Sequence, residues 1–471
     1  MPRSVVLAPV AVLLACVLAA GCDGGVEGVA GAPGVRDPYF PKLGNGGYDV
    51  THYGLTLDYR PAQRKLVGKA VVTARADRDL SAFDLDLKGM EVQSVEVDGK
   101  PARFNRSGDH ELVVRPREDL DEGASFTTVV RYAGSPEVVT DPDGSEEGWL
   151  PTADGALALG EPTGSMTWFP GNHHPGDKAT YDITVSVPEG LRAVSNGELR
   201  EERVRDGRAV FAWHVGEPMA SYVATVAVGR FTVHRSEGDG KGGVPVYTAV
   251  DPREAAGGDE VLGRIPEIVE WGTRTFGAYP FSSAGAIVER EKDAGYALET
   301  QNRPVFPGAP SVELLVHELA HQWYGNSVTP RSWRDMWLNE GFATYAEWLW
   351  GEEHGGDSAQ EVFDLLYEGE YFDDKADDDA VWAFPPARPP DAAQISDSPV
   401  YERGAMVLHR IRQTVGDEAF RGILRGWATA HRHGTADTAD FTAFVEAKAP
   451  DADFSEIWDD WLYGEGKPDR A

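Results

Sequence analysis

Cysteine is nearly absent: the 471 residues contain two, Cys16 and Cys22, both within the first 22 positions. No framework of disulfides can hold such a chain together, so its fold must rest on buried apolar surface. Positive charge is scarce as well, with 44 Lys and Arg against 77 Asp and Glu and a net charge of -33. Phosphates would be repelled and no basic stripe is present, which excludes nucleic acid as a partner. No internal repeat is evident, and the apolar stretch from Val5 to Ala20 is short for a full membrane span. What is there is an apolar fraction of 41%, enough for packed cores in two or three domains.

Arg3, the apolar Val5 to Ala20 and then Gly21-Cys22 follow the charged, apolar and small-residue order of a secretory signal peptide. Leu18-Ala19-Ala20-Gly21-Cys22 further resembles a bacterial lipobox, in which the cysteine becomes the lipidated first residue of the mature chain. The resemblance implies processing of residues 1–22 and anchoring to the outer face of a bacterial cell membrane; ordinary secretion is the alternative. Residues 23–44, rich in Gly, Ala and Pro, read as a flexible linker.

From Tyr48 to about Arg235 the pattern alternates, as in Tyr53-Gly54-Leu55-Thr56-Leu57 and Val223-Ala224-Thr225-Val226-Ala227, with Asp98-Gly99 and Asn196-Gly197 as hairpin-turn candidates. Helical spacing prevails beyond Val250, including Glu260 to Thr275 and stretches around Val407 to Val415, Phe441 to Ala449 and Ile457 to Leu462. An all-β domain over 45–245 is expected, followed by a mainly α-helical domain over 246–467.

The second region carries His317-Glu318-Leu319-Ala320-His321 and, after eighteen intervening residues, Glu340. Residues four apart share one helix face, so His317 and His321 can present their imidazoles to one ion, with Glu340 as third ligand and Glu318 as proton acceptor. Two neutral nitrogens, one carboxylate and an open fourth position are the donor set of catalytic zinc, one ion per chain, which lowers the pKa of bound water from about 15.7 toward about 7. Val312, Leu315, Val316, Leu319 and Trp323 form an apolar stripe that can bury the helix's other side. These residues point to a metallopeptidase.

The runs His317-Glu318-Leu319-Ala320-His321-Gln322-Trp323-Tyr324-Gly325-Asn326 and Trp337-Leu338-Asn339-Glu340-Gly341-Phe342-Ala343 resemble the gluzincin zinc aminopeptidases, the family of aminopeptidase N and the leukotriene-hydrolysing aminopeptidase. The resemblance implies a saddle-like β-sheet domain ahead of a thermolysin-like catalytic domain, and peptides with free N-termini as substrates. It extends to Gly295-Tyr296-Ala297-Leu298-Glu299-Thr300, where it assigns Glu299 to the substrate's α-amino group and places Tyr296 and Ala297 at the first side-chain pocket. Tyr296, Leu298 and Thr300 depart from the family's usual Gly, Met and Asn. Tyr401, in Val400-Tyr401-Glu402-Arg403-Gly404-Ala405, takes the role of oxyanion donor, and Arg403 stands where the family has lysine. Glu161, nine residues before Pro170, takes a second amine-binding role. Larger family members continue into a helical domain over the active site, so the resemblance implies a more open site here. The competing readings are a thermolysin-like endopeptidase, which has no need of Glu299, and a catalytically silent binding lipoprotein of the same fold.

His173-His174, the acidic runs Asp373-Asp374 and Asp377-Asp378-Asp379, and Asp141-Pro142-Asp143-Gly144 read as solvated loops rather than further metal sites.

Overall fold

Alternating burial along Tyr48–Arg60, with Tyr48, Val50, Tyr53, Leu55, Leu57 and Tyr59 turned inward, builds the centre of an eight-stranded sheet. A computed structural model describes residues 28–238 and 243–470; the signal-peptide and lipobox pattern over 1–22 and the first part of the expected linker, 23–27, lie outside the described residues. The sheet runs Glu198–Arg205, Arg208–Ala220, Lys178–Pro188, Tyr48–Arg60, Lys65–Ala76, Ser125–Gly134, Glu91–Val97 and Lys100–Pro101. Lys178–Pro188 pairs parallel with Tyr48–Arg60, and the other neighbours are antiparallel. A four-stranded sheet containing Leu80–Asp86 and Glu111–Arg115, and a five-stranded sheet containing Glu146–Pro151 and Ala156–Leu159, complete the β region.

Asp98 and Gly99 both adopt positive φ, 50° and 72°, and close the Glu91–Val97 hairpin. Asn196-Gly197 does something else: it joins Arg192–Ser195 of the five-stranded sheet to Glu198–Arg205 of the eight-stranded one. The buried Asn196 amide donates to Val223 O at 2.9 Å and Gln301 O at 2.8 Å, so this corner also ties the two regions together.

Strand pairing crosses the expected division at 245/246. Thr232–Ser236 pairs with Val246–Val250, which continues in parallel to Ala284–Glu289 and Val305–Pro307, a sheet absent from the helical expectation. The helices that follow are α1 Ala255–Leu262, α2 Ile265–Phe276, α3 Val312–Ala320, α4 Trp337–His354, α5 Ala359–Glu368, α6 Lys375–Ala380, α7 Gly404–Val415, α8 Asp417–Ala430 and α9 Thr438–Lys448. Trp271, Trp333, Trp337, Trp427 and Trp461 are fully buried among them. Among the described residues no helix is long and apolar enough to cross a membrane.

Residues 28–44 are not a flexible linker. Val29–Ala30 adds to the four-stranded sheet, and the buried Asp37 accepts hydrogen bonds from the Tyr39 and Phe40 amides at 2.9 and 3.1 Å, Ser332 Oγ at 2.8 Å and the Trp333 amide at 3.0 Å. Burial pushes the Asp37 carboxyl up, but the bonds from His174, Tyr39, Phe40 and Ser332 outweigh it and hold the group at about 2. The Gly and Pro content that suggests mobility serves turns, and the packed partners lie in distant sequence. His173 and His174 are likewise buried rather than solvated: His173 Nε2 lies 3.0 Å from Phe169 O and His174 Nε2 lies 3.3 Å from Asp37.

Candidate active site

Ser311 caps α3, its hydroxyl accepting from the Leu314 amide at 3.1 Å, and Leu315, Val316 and Leu319 bury the helix's apolar side. His317 and His321 are thereby turned toward α4. Their Nε2 atoms lie 3.2 and 3.3 Å from the same oxygen, Glu340 Oε2. Each Nδ1 is engaged elsewhere, His317 with Glu347 Oε1 at 2.6 Å and His321 with Tyr324 O at 3.1 Å. A carboxylate or carbonyl on Nδ1 sets the tautomer that leaves Nε2 free as a ligand. Glu347 was not foreseen, although it lies seven residues beyond Glu340, two turns along the same face of α4.

Glycine makes the convergence possible at two places. Gly325 has φ +126°, and a Cβ there would sit 3.2 Å from His321 Nδ1. A Cβ on Gly341 would meet Gly404 backbone at 2.9 Å, so α4 and the Pro399–Arg403 turn approach closely enough to bring the Tyr401 ring within 6.1 Å of His317, nearly parallel to it. Arg403 has a structural part: it is fully buried and donates to the carbonyls of Trp461, Phe384, Asp460 and Gly464.

All the expected site residues line one cavity of about 690 Å³: His317, Glu318, His321, Glu340, Glu299, Glu161, Tyr296, Ala297 and Tyr401. Glu161 reaches it from the β region, and one oxygen from each of Glu161, Glu299 and Glu340 falls within 4.8 Å of the others. Glu299 is held by its main chain, whose carbonyl accepts from Asn326 Nδ2 at 2.6 Å and Gln322 Nε2 at 3.3 Å. Tyr296 Oη donates to Glu161 O at 3.3 Å, so the tyrosine that departs from the family pattern links the two glutamate-bearing loops. Glu161 Oε1, Glu299 Oε1 and Glu318 Oε2 are buried without a hydrogen-bond partner. Asp141, expected in a solvated loop, is buried and lines the same cavity.

The electrostatics call for added positive charge. Burial raises Glu161, Glu299 and Glu318, the last to about 8, and neighbouring carboxylates add to the effect. Glu340 is the exception: burial pushes it up, but His321 and His317 overcome this and hold it at about 2. An ionised carboxylate with two imidazole nitrogens converging on one of its oxygens fits zinc, with His317, His321 and Glu340 as ligands and a fourth position open to the cavity.

Comparison with known proteins covers both regions of the chain. The peptidase M1 N-terminal domain matches residues 49–223, and the peptidase family M1 domain matches residues 298–461. Mouse glutamyl aminopeptidase is 27% identical over 65% of this chain and 34% of its own length, and a leucyl aminopeptidase of Saccharolobus solfataricus is 24% identical over 89% and 54%. The chain thus spans about a third to a half of the length of these curated relatives. An M1 zinc metallopeptidase mutant from Deinococcus radiodurans, solved with a Tyr-Ser-Ala substrate, superposes with a TM-score of 0.84 at 29% identity, covering 93% of this chain and 100% of that one. A two-domain M1 zinc metallopeptidase mutant bound to L-arginine gives 0.85, also at 29% identity, with 93% and 99% covered. With both its β region and its catalytic region matched, the chain belongs to peptidase family M1.

Proposed function

We propose that the protein is a zinc-dependent aminopeptidase that removes N-terminal residues from peptides. One observation carries this reading: Glu161 and Glu299, from two different regions of the chain, aim unpartnered buried oxygens into the cavity that holds the His317, His321 and Glu340 donors. Such a pair is matched by an ammonium group, which a chain's N-terminus has and an internal backbone amide lacks.

When bound by His317, His321 and Glu340, zinc supplies Lewis-acid polarisation of the scissile carbonyl and acidifies water. Glu161 and Glu299 hold the α-ammonium and so fix which peptide bond lies beside Glu318. Glu318 accepts a proton from the attacking water as its oxygen bonds to the carbonyl carbon, then returns that proton to the departing amine nitrogen as the C–N bond breaks. Tyr401 donates to the carbonyl oxygen as negative charge develops there. The cavity lining includes eight carboxylates and no Lys or Arg, which favours substrates whose first side chain is cationic over those with an acidic one. Removal of zinc by a chelator should abolish hydrolysis of aminoacyl fluorogenic amides, and one equivalent of zinc should restore it. An undiminished rate in the zinc-free protein would contradict the proposal.

The signal-peptide and lipobox pattern over residues 1–22 supports export and a lipid anchor at Cys22. Mass spectrometry of the mature N-terminus tests this: a diacylated Cys22 is expected, and an unmodified chain starting elsewhere would refute the anchor.

A further inference from the structure

A second convergence of histidine and carboxylates lies in the β region, outside the active-site cavity. Asp86 and Glu111 sit directly opposite each other on paired antiparallel strands, and both are buried, at 0% and 8% exposure. Like charges so placed repel, and burial removes the water that would screen them. Asp84, two residues before Asp86 and therefore on the same face, adds a third carboxyl at 6% exposure. Lys88 pairs with Asp109 at 2.6 Å and Arg115 donates to Asn105 at 2.7 Å.

Asp86 Oδ2 accepts from the Gly44 and His173 amides, each at 3.0 Å, whereas Asp86 Oδ1 and Glu111 Oε2 have no partner. His110 Nε2 lies 2.9 Å from Lys42 O, 3.8 Å from Asp86 Oδ1 and 3.7 Å from Glu111 Oε1. The last two separations are too long for hydrogen bonds. They match donors arranged around one ion, since two ligands each about 2.1–2.3 Å from a metal stand about 3–4 Å apart. Burial, chiefly, raises Asp84 and Asp86 to about 6 and Glu111 to about 8, the mark of charge left uncompensated.

We propose that Asp86, Glu111, His110 and the Lys42 carbonyl form a second divalent-cation site, three oxygens and one imidazole, that fastens the 28–47 segment to the β region. The donor mixture suits Mn2+ or Zn2+ better than Mg2+, which retains its waters and demands all-oxygen octahedral surroundings. Lys42 and Gly44 belong to the segment whose Asp37 hooks Ser332 and Trp333 of the catalytic region, so the ion also steadies the join between regions.

The test uses the full chain with its catalytic site saturated with zinc, titrated with Mn2+, Zn2+ or Ca2+ while bound metal is counted by elemental analysis. A second equivalent of Mn2+ or Zn2+ is expected, with Tm raised by about 4 °C and slower amide exchange at Leu43 to Asn45. The double variant Asp86→Asn, Glu111→Gln relieves the repulsion and keeps acceptors for Gly44 and His173. It should retain the catalytic zinc and bind the second ion at least 100-fold more weakly, and His110→Gln, with its folding checked by zinc content, should show the same loss. A stoichiometry that stays at one with all three ions, or a second equivalent held undiminished by the variants, overturns the site.

Discussion

The two buried histidine and carboxylate clusters differ in how they are built. In the catalytic one, His317 and His321 are fixed by one helix turn, and each has a second partner, Glu347 or Tyr324 O, that orients its ring. In the other, Asp86 and Glu111 meet because two strands pair in one register, and the imidazole of His110 has the Lys42 carbonyl 2.9 Å away. The first lines a cavity together with Glu318 and Tyr401, the residues proposed as proton acceptor and oxyanion donor. The second lies outside that cavity, where the proposed ion would hold chain segments together.

The sharpest way to separate the two roles is Glu318→Gln, which should lower kcat by about 10³-fold or more while both clusters keep their ability to bind metal. Near-normal turnover with zinc retained would remove Glu318 from the mechanism. Tyr401→Phe should cost about 10²-fold in kcat with little change in KM, read from steady-state kinetics on an aminoacyl amide. Loss in KM alone would make Tyr401 a binding residue. Glu347→Gln tests whether the orienting partner matters: zinc affinity should fall about 10–100-fold by competition with a chelator.

Asp37→Asn probes the segment the second cluster is proposed to fasten. The Asp37 carboxyl is held at about 2 in the fold, below its ordinary value of 3.8, so its contribution is present above about pH 4 and lost as pH falls toward 2. The variant should be less stable by about 2 kcal/mol at pH 7, and the difference should shrink to a few tenths of a kcal/mol near pH 2 in urea unfolding. The smallest effect concerns the cavity's charge: peptides beginning with Arg or Lys should exceed those beginning with Glu by about 10-fold in kcat/KM. The reverse order would show that the acidic lining does not reach the first side chain.

The helix-borne cluster was legible in the sequence because spacing along one helix is local, and the regular alternation after Tyr48 exposed the β region for the same reason. The readings of Glu161, Glu299 and Tyr401 rest on resemblance, as no local period links residues that far apart. Asp86 and Glu111 gave no signal, since strand register joins residues 25 positions apart. Residues 28–44 misled because Gly and Pro serve ordered turns as well as flexible tethers, and what orders this stretch, Ser332 and Trp333, lies some 300 residues on. The helical spacing beyond Val250 hid two strands of a four-stranded sheet, Val305–Pro307 and Ala284–Glu289, the latter fully buried and so without alternation.

The pairing of Glu161 with Glu299 beside the zinc ligands is tested most directly by measuring kcat/KM for one peptide with a free N-terminus and for its N-acetylated form. A preference of at least about 100-fold for the free amine is expected, since acetylation removes the charge and leaves two buried carboxylates unmatched. Equal cleavage of the two would contradict exopeptidase action.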